Sequence, residues 1–171
     1  MNKEDKPLEG YTLLHLGAAL FQTPCLHRAK ELGCRLVLVD ADERAPGIPL
    51  ADVFEPISTR DREAILDAAR RHAADGVMTY ASDSSVASVA FVAEQMGLPG
   101  NPPEAAEVLH RKDLFRQFQK ENGLPHPRFV AARSFEAARE GAAGLRMPLV
   151  VKPADSAGTK GQSVVAEPGQ L

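Results

Sequence analysis

The sequence predicts an α/β fold: a Rossmann-like open parallel sheet followed by the start of a smaller α+β unit. Three observations predict it. Through the first hundred residues, short apolar runs alternate with helix-period patterns at the spacing of βαβ units. The links between them are short and carry Gly, Pro, Asp or Ser. At Asn101-Pro102-Pro103 the rhythm breaks, and a second strand–helix–strand series begins some 25 residues later.

The elements follow in order. Residues 1–10 are polar and read as a flexible leader, without the apolar core of a signal peptide. Residues 12–16 form a first strand, stopped at Gly17. Thr23 before Pro24 reads as a helix cap followed by proline at the first helical position, and Gly33 can end that helix in a left-handed conformation. Residues 35–39 make a second strand ending at Asp40, and 53–57 a brief third. Ser58 with Asp61 resembles a capping box, behind which Ala64, Ile65, Ala68 and Ala69 line one helix face. A strand at 76–80 and a helix through Val86, Val89, Ala90 and Ala93 follow, and Leu98-Pro99-Gly100 reads as a last short strand. This gives a first domain over 11–101.

Residues 102–127 read as a helical linker, with helices at 104–109 and 111–121 and an extended stretch forced by Pro125 and Pro127. The remainder, 128–171, reads as an incomplete second unit: strand at 128–132, helix at 135–143, strand at 148–152, a glycine-containing loop, and strand at 162–166.

Composition narrows the function classes. A chain of 171 residues with 44% hydrophobic and 25% charged residues is an ordinary globular composition. No window approaches the roughly 18 consecutive apolar residues of a membrane span. Net charge is −3 and basic residues alternate with acidic ones, as in Arg60-Asp61-Arg62-Glu63, which argues against nucleic acid as partner. Cys25 and Cys34 lack zinc spacing and fit a cytoplasmic protein with reduced thiols. His15 on an apolar strand reads as a core residue, and His27, His72, His110 and His126 show no metal-ligand spacing.

Ligands of an open parallel sheet gather beyond the carboxyl ends of its strands. Gly17, Ala18 and Ala19, together with Tyr80, Ser82 and Asp83, lie there. Gly17 with Asp40 echoes a dinucleotide fingerprint, the basis of an alternative reading as a nicotinamide-dependent oxidoreductase fragment. Ala19 and Gln22 stand where its second and third glycines belong, so Asp40 reads better as a residue fixing the following loop. The segment from Tyr80 to Ser85 could accept an anion, or could simply cap a helix through Ser82, Asp83 or Ser84. The strand Pro148–Lys152 and the loop Ser156-Ala157-Gly158-Thr159-Lys160-Gly161 combine two lysines with small residues that let backbone amides approach phosphate oxygens. Its spacing is not that of a Walker A loop, and for such a loop alone a solvated surface hairpin is the commoner explanation.

It stands in a series. Lys112-Asp113-Leu114-Phe115-Arg116, Gly123-Leu124-Pro125-His126-Pro127, Pro148–Pro153 and the loop to Gly161 follow a first half containing Ala45-Pro46-Gly47, Ala51-Asp52 and Gly76-Val77-Met78-Thr79. This ordered set resembles the N-terminal portion of the ATP-grasp ligases, nearest the carbamoyl-phosphate synthase large-subunit and biotin carboxylase branch, from Tyr11 onwards. The resemblance makes the first domain a pre-ATP-grasp domain and the second the start of the ATP-grasp fold. It implies ATP contacts for Lys112, Lys152 and Ser156, Ala157, Gly158, Thr159, Lys160 and Gly161, and a substrate mouth in the Gly17 to Phe21 turn and the Tyr80 to Ser85 loop, at Gly17, Ala18, Ala19, Tyr80, Ser82 and Asp83. It implies a parent enzyme that joins a carboxylate to an amine or similar nucleophile through an acyl phosphate, with Mg²⁺, and allows a homodimer. Catalytic and metal-ligating residues are expected beyond Leu171, none within this chain, so that the 171 residues alone would be inactive. A non-catalytic binding or assembly module is the other alternative.

Overall fold

The computed structural model describes residues 6–156 and 158–170. The chain divides into two compact units, 1–106 and 107–171.

The first unit is a four-stranded sheet in the order β3-β2-β1-β4, every pair parallel. The strands are β1 (Thr12–Leu16), β2 (Arg35–Val39), β3 (Val53–Glu55) and β4 (Gly76–Thr79). Between them run α1 (Thr23–Glu31) and α2 (Arg62–Arg71), and α3 (Val86–Met96) follows β4. Leu14 and Leu16 pack with Val37, Val39, Ile65, Leu66, Ala69, Val92 and Ala93, so α2 and α3 cover one face of the sheet. Leu36 and Leu38, alternate residues of β2, pack with Leu26, Ala29 and Ala45 on the face that α1 covers. With both faces covered, the central strands must be apolar throughout, and β2 is buried from Leu36 to Val39. The strand order reverses between β1 and β4, and this sets where a ligand belongs.

Several boundaries differ from the sequence expectation. Leu98-Pro99-Gly100 pairs with no strand. The Leu98 amide instead bonds the Ala93 carbonyl at 2.8 Å, closing α3 behind Gly97 at φ 66°. The cap of α1 is Gln22, not Thr23, whose hydroxyl donates to the Leu20 carbonyl at 2.8 Å. At α2, Asp61 alone caps, accepting from the Ala64 amide at 3.2 Å, while Ser58 Oγ accepts from Arg60 in the preceding turn. Residues 6–10 form a turn tied down by the Leu8 amide on the Leu32 carbonyl at 3.0 Å, where the sequence reads as a flexible leader; residues 1–5 lie outside the described residues.

The unit division falls inside α4 (Pro103–His110). The second unit contains α5 (Lys112–Glu121), α6 (Phe135–Ala142) and an antiparallel pair, β5 (Leu149–Val151) with β6 (Ser163–Val165). The strand expected at 128–132 does not form. Two prolines precede it and no neighbouring strand pairs with it, although Val130 packs against Gly141, where an added Cβ would lie 2.5 Å from Val130 Cγ1. Among the described residues, no helix is long and apolar enough to cross a membrane.

Candidate functional site

At the switch point, the turn after β1 is built from inside. Gly17 adopts φ +96° and donates its amide to the Val39 carbonyl at 2.7 Å. The Ala18 amide donates to Asp40 Oδ2 at 2.8 Å, and the Ala19 amide to Gln22 Oε1 at 2.9 Å. Gln22 is 2% exposed, and its Nε2 donates to the carbonyls of Tyr80 at 2.8 Å and Leu16 at 3.3 Å. One side chain therefore ties the turn after β1 to the turn after β4. A Cβ on Gly17 would sit 2.5 Å from that amide head.

This arrangement argues against the dinucleotide reading. The backbone of a pyrophosphate-binding turn must present free amides at close range. Here the amides of residues 17, 18 and 19 already have acceptors, and the Gln22 head fills the space beside Gly17. Asp40 acts as a loop-fixing residue: its second oxygen accepts from the Asp42 amide at 2.9 Å. Sequence reading sees Gln22 only as a missing glycine; a buried amide that bridges two loops leaves no local signal.

His15 lies fully buried behind this turn, its Nδ1–H donating to the Gly17 carbonyl at 2.9 Å. Burial lowers its pKa and keeps the ring neutral, against the smaller opposing effect of that hydrogen bond. It is a core residue, as the sequence implies.

Beyond β4, the Thr79 hydroxyl donates to the Leu16 carbonyl at 2.8 Å. Ala81 takes φ +50°, and Ser82 Oγ bonds the hydroxyls of Ser85 at 2.9 Å and Ser84 at 3.3 Å. Neither Ser82 nor Ser85 caps through its side chain, so the capping expectation is replaced by a hydroxyl cluster that ends on buried Ser85. Asp83 is exposed at the start of the turn into α3.

In the second unit, the Lys112 amide donates to the Ala154 carbonyl at 2.9 Å and its ammonium to the Ser156 carbonyl. The first residue of α5 thus holds the loop between β5 and β6. Gly158, Thr159 and Gly161 have φ of 63°, 60° and 68°. The positive φ of Thr159, a β-branched residue, is not legible in sequence. An added Cβ on Gly161 would lie 2.9 Å from Pro153 Cγ, so the loop folds back against its own base. Lys152 and Lys160 are exposed. Ala157 lies outside the described residues. Asp113 pairs with Arg111 at 2.7 Å, which holds its carboxyl below the usual range. Among the described residues, no three His, Cys, Asp or Glu side chains could hold a metal ion.

The other candidates have structural roles. Burial pushes the Cys25 thiol up, away from a reactive thiolate. Burial works against the Asp52 carboxylate, but the Leu36 amide at 2.7 Å and Lys30 at 2.6 Å outweigh it and hold its pKa down.

Comparison with known proteins bears on the fold and the family. Residues 26–100 match the ATP-grasp N-terminal domain family. Over 156 residues the chain is 35% identical to a formate-dependent phosphoribosylglycinamide formyltransferase from Synechococcus sp. (strain CC9605), covering 90% of this chain and 40% of that protein. It is 28% identical over 160 residues to a carbamoyl phosphate synthase large chain from Bifidobacterium animalis subsp. lactis, covering 88% of this chain and 14% of that one. In fold it matches an N5-carboxyaminoimidazole synthetase from Staphylococcus aureus solved with ADP, with TM-score 0.78 and 18% identity, over 95% of this chain and 43% of that one. The chain thus spans less than half the length of each. Residues 26–100 thus carry the match to the ATP-grasp N-terminal domain, and the chain as a whole is similar to the N-terminal portion of these proteins.

Proposed function

We propose that this chain is the substrate-side and first nucleotide-side part of a cytoplasmic ATP-dependent ligase that joins a carboxylate to an amine or similar nucleophile. One observation carries the reading beyond the family match. Lys112 bonds the loop that starts at Ser156, so the helix lysine, the strand-end Lys152 and the glycine loop belong to one local structure. ATP would supply the phosphoryl group that activates the carboxylate as an acyl phosphate. The chain's own residues would bind and orient it: Lys112, Lys152 and Lys160 by charge, and Ser156 and Gly158–Gly161 through their backbone amides. The residues fit phosphate but not a metal. Among the described residues no cluster of side chains could hold a metal ion, so the ligands of Mg²⁺ would come from other parts of the enzyme. The mouth at Gly17–Ala19 and Tyr80–Asp83 would take the second substrate.

An ATP titration followed by amide NMR tests this reading. Millimolar ATP is expected to shift Lys112, Ser156 and Gly158–Gly161, and Lys152→Gln is expected to diminish those shifts. Calorimetry with Mg-ATP on the 171 residues is expected to show no tight binding, because they span less than half the length of the relatives. Unmoved loop resonances, or tight binding by the 171 residues, would overturn the proposal.

A further inference from the structure

We infer that the mouth between β1 and β4 takes an unphosphorylated amine bearing an apolar or aromatic group, rather than a phosphoribosyl amine. This rests on the functional reading above, and it names the class of that second substrate.

The argument begins with what the turn after β1 lacks. Its first three amides are satisfied by Val39, Asp40 and Gln22, so they are not offered to an anion. One of those acceptors is itself a carboxylate, which would repel a phosphate brought to the same amides. No Lys, Arg or His stands between Gly17 and Thr23 or between Tyr80 and Ser85. The single charged side chain of the two turns is exposed Asp83. The neighbouring turn, after β2, adds Asp40, Asp42 and Glu43; its one cation, Arg44, pairs with Asp42 at 3.7 Å. A phosphate held here would have no cation from these turns to neutralise it, whereas an ammonium would find carboxylates.

The same turns carry exposed apolar side chains. Leu20 is 70% exposed, Phe21 57% and Tyr80 48%, and Gln22 holds their two loops together through its bond to the Tyr80 carbonyl. Large exposed apolar groups at the ligand end of a sheet, in turns that carry carboxylates, match an amine with a hydrophobic body. The hydroxyls of Ser82 and Ser84 add neutral polar partners. The relatives named for phosphoribosylglycinamide chemistry act on a phosphorylated amine, a substrate whose phosphate the charge at this mouth does not favour.

Amide NMR on the full 171-residue chain tests the inference with two probes, phenethylamine and phosphoribosylglycinamide. Phenethylamine is expected to shift Leu20, Phe21 and Tyr80–Asp83 in the millimolar range, and phosphoribosylglycinamide to leave them unmoved. Asp83→Asn and Phe21→Ala, both at exposed positions, are each expected to weaken the amine about threefold. Shifts with phosphoribosylglycinamide, or none with phenethylamine, would overturn the inference. ATP added to the same sample reads the loop at 156–161 separately. Loss of that response with the amine response intact would strike the ligase reading, while the reverse would strike only the substrate class.

Discussion

Gly17 shows how much one position can fix. Its φ of +96° disfavours any side chain, and the nearest atoms to an added methyl belong to the Gln22 head. A flexible side-chain end normally yields cheaply, but this one is buried and holds three backbone groups. Gly17→Ala is therefore expected to cost about 2–4 kcal/mol, combining left-handed strain with broken hydrogen bonds, as read by urea unfolding. Glu55 offers a pH-dependent counterpart. It accepts from Arg71 at 2.8 Å and from His72 Nε2 at 2.6 Å, and these bonds hold its pKa below the ordinary carboxylate value. A depressed carboxylate contributes stability above its unfolded pKa and loses it as pH falls through the folded one. Glu55→Gln is thus expected to cost about 1 kcal/mol at pH 7, with the difference between variant and parent shrinking below about pH 4.3 in parallel melts. Residues whose role follows from their neighbours in sequence were legible: His15 between leucines belongs to the core, and Asp40 at a strand end fixes the next loop. Gln22 was not, because its partners Leu16 and Tyr80 lie 6 and 58 positions away.

At the level of the element, the parallel sheet and its helices follow from apolar periodicity, because each strand has a covered face that demands it. The failures have a common origin. A strand exists only if a neighbour pairs with it, and neither 98–100 nor 128–132 has one. Caps fail for another reason: several Ser, Thr and Asp residues near a helix start compete, and backbone geometry picks one. At α2 the winner is Asp61. Asp61→Ala is expected to lower the free energy of unfolding by about 1 kcal/mol, and Ser58→Ala by a few tenths, in thermal melts. A capping box would make the two costs comparable.

Across the whole chain, burial is uneven. The first unit has a continuous apolar core on both faces of its sheet. In the second, Ala142 and Val165 are the buried apolar residues among those described, and Val150, Val151 and Val164 stand 52%, 42% and 66% exposed on the β5–β6 pair. Protection from amide exchange follows buried, hydrogen-bonded structure. Hydrogen exchange by mass spectrometry is expected to show peptides from 149–165 exchanging well before those from 35–39 and 76–79. Equal protection of the two units would contradict the unequal burial.

The loop after β2 adds one further consequence. The Gly47 amide bonds the Ala18 carbonyl at 2.7 Å, and a Cβ there would meet Leu26 Cδ1 at 2.7 Å and that carbonyl at 2.9 Å. Positions 17, 18, 22, 40 and 47 are thus interlocked although α1 and β2 separate them in sequence. Such a set is inherited or lost together: a glycine-rich turn transplanted into 17–22 alone would arrive without the partners that shape this one, and its former partners would be left holding nothing. Changing what this mouth recognises by exchange of natural parts would require moving all three loops at once, whereas the outward-facing Leu20, Phe21, Tyr80 and Asp83 can vary singly.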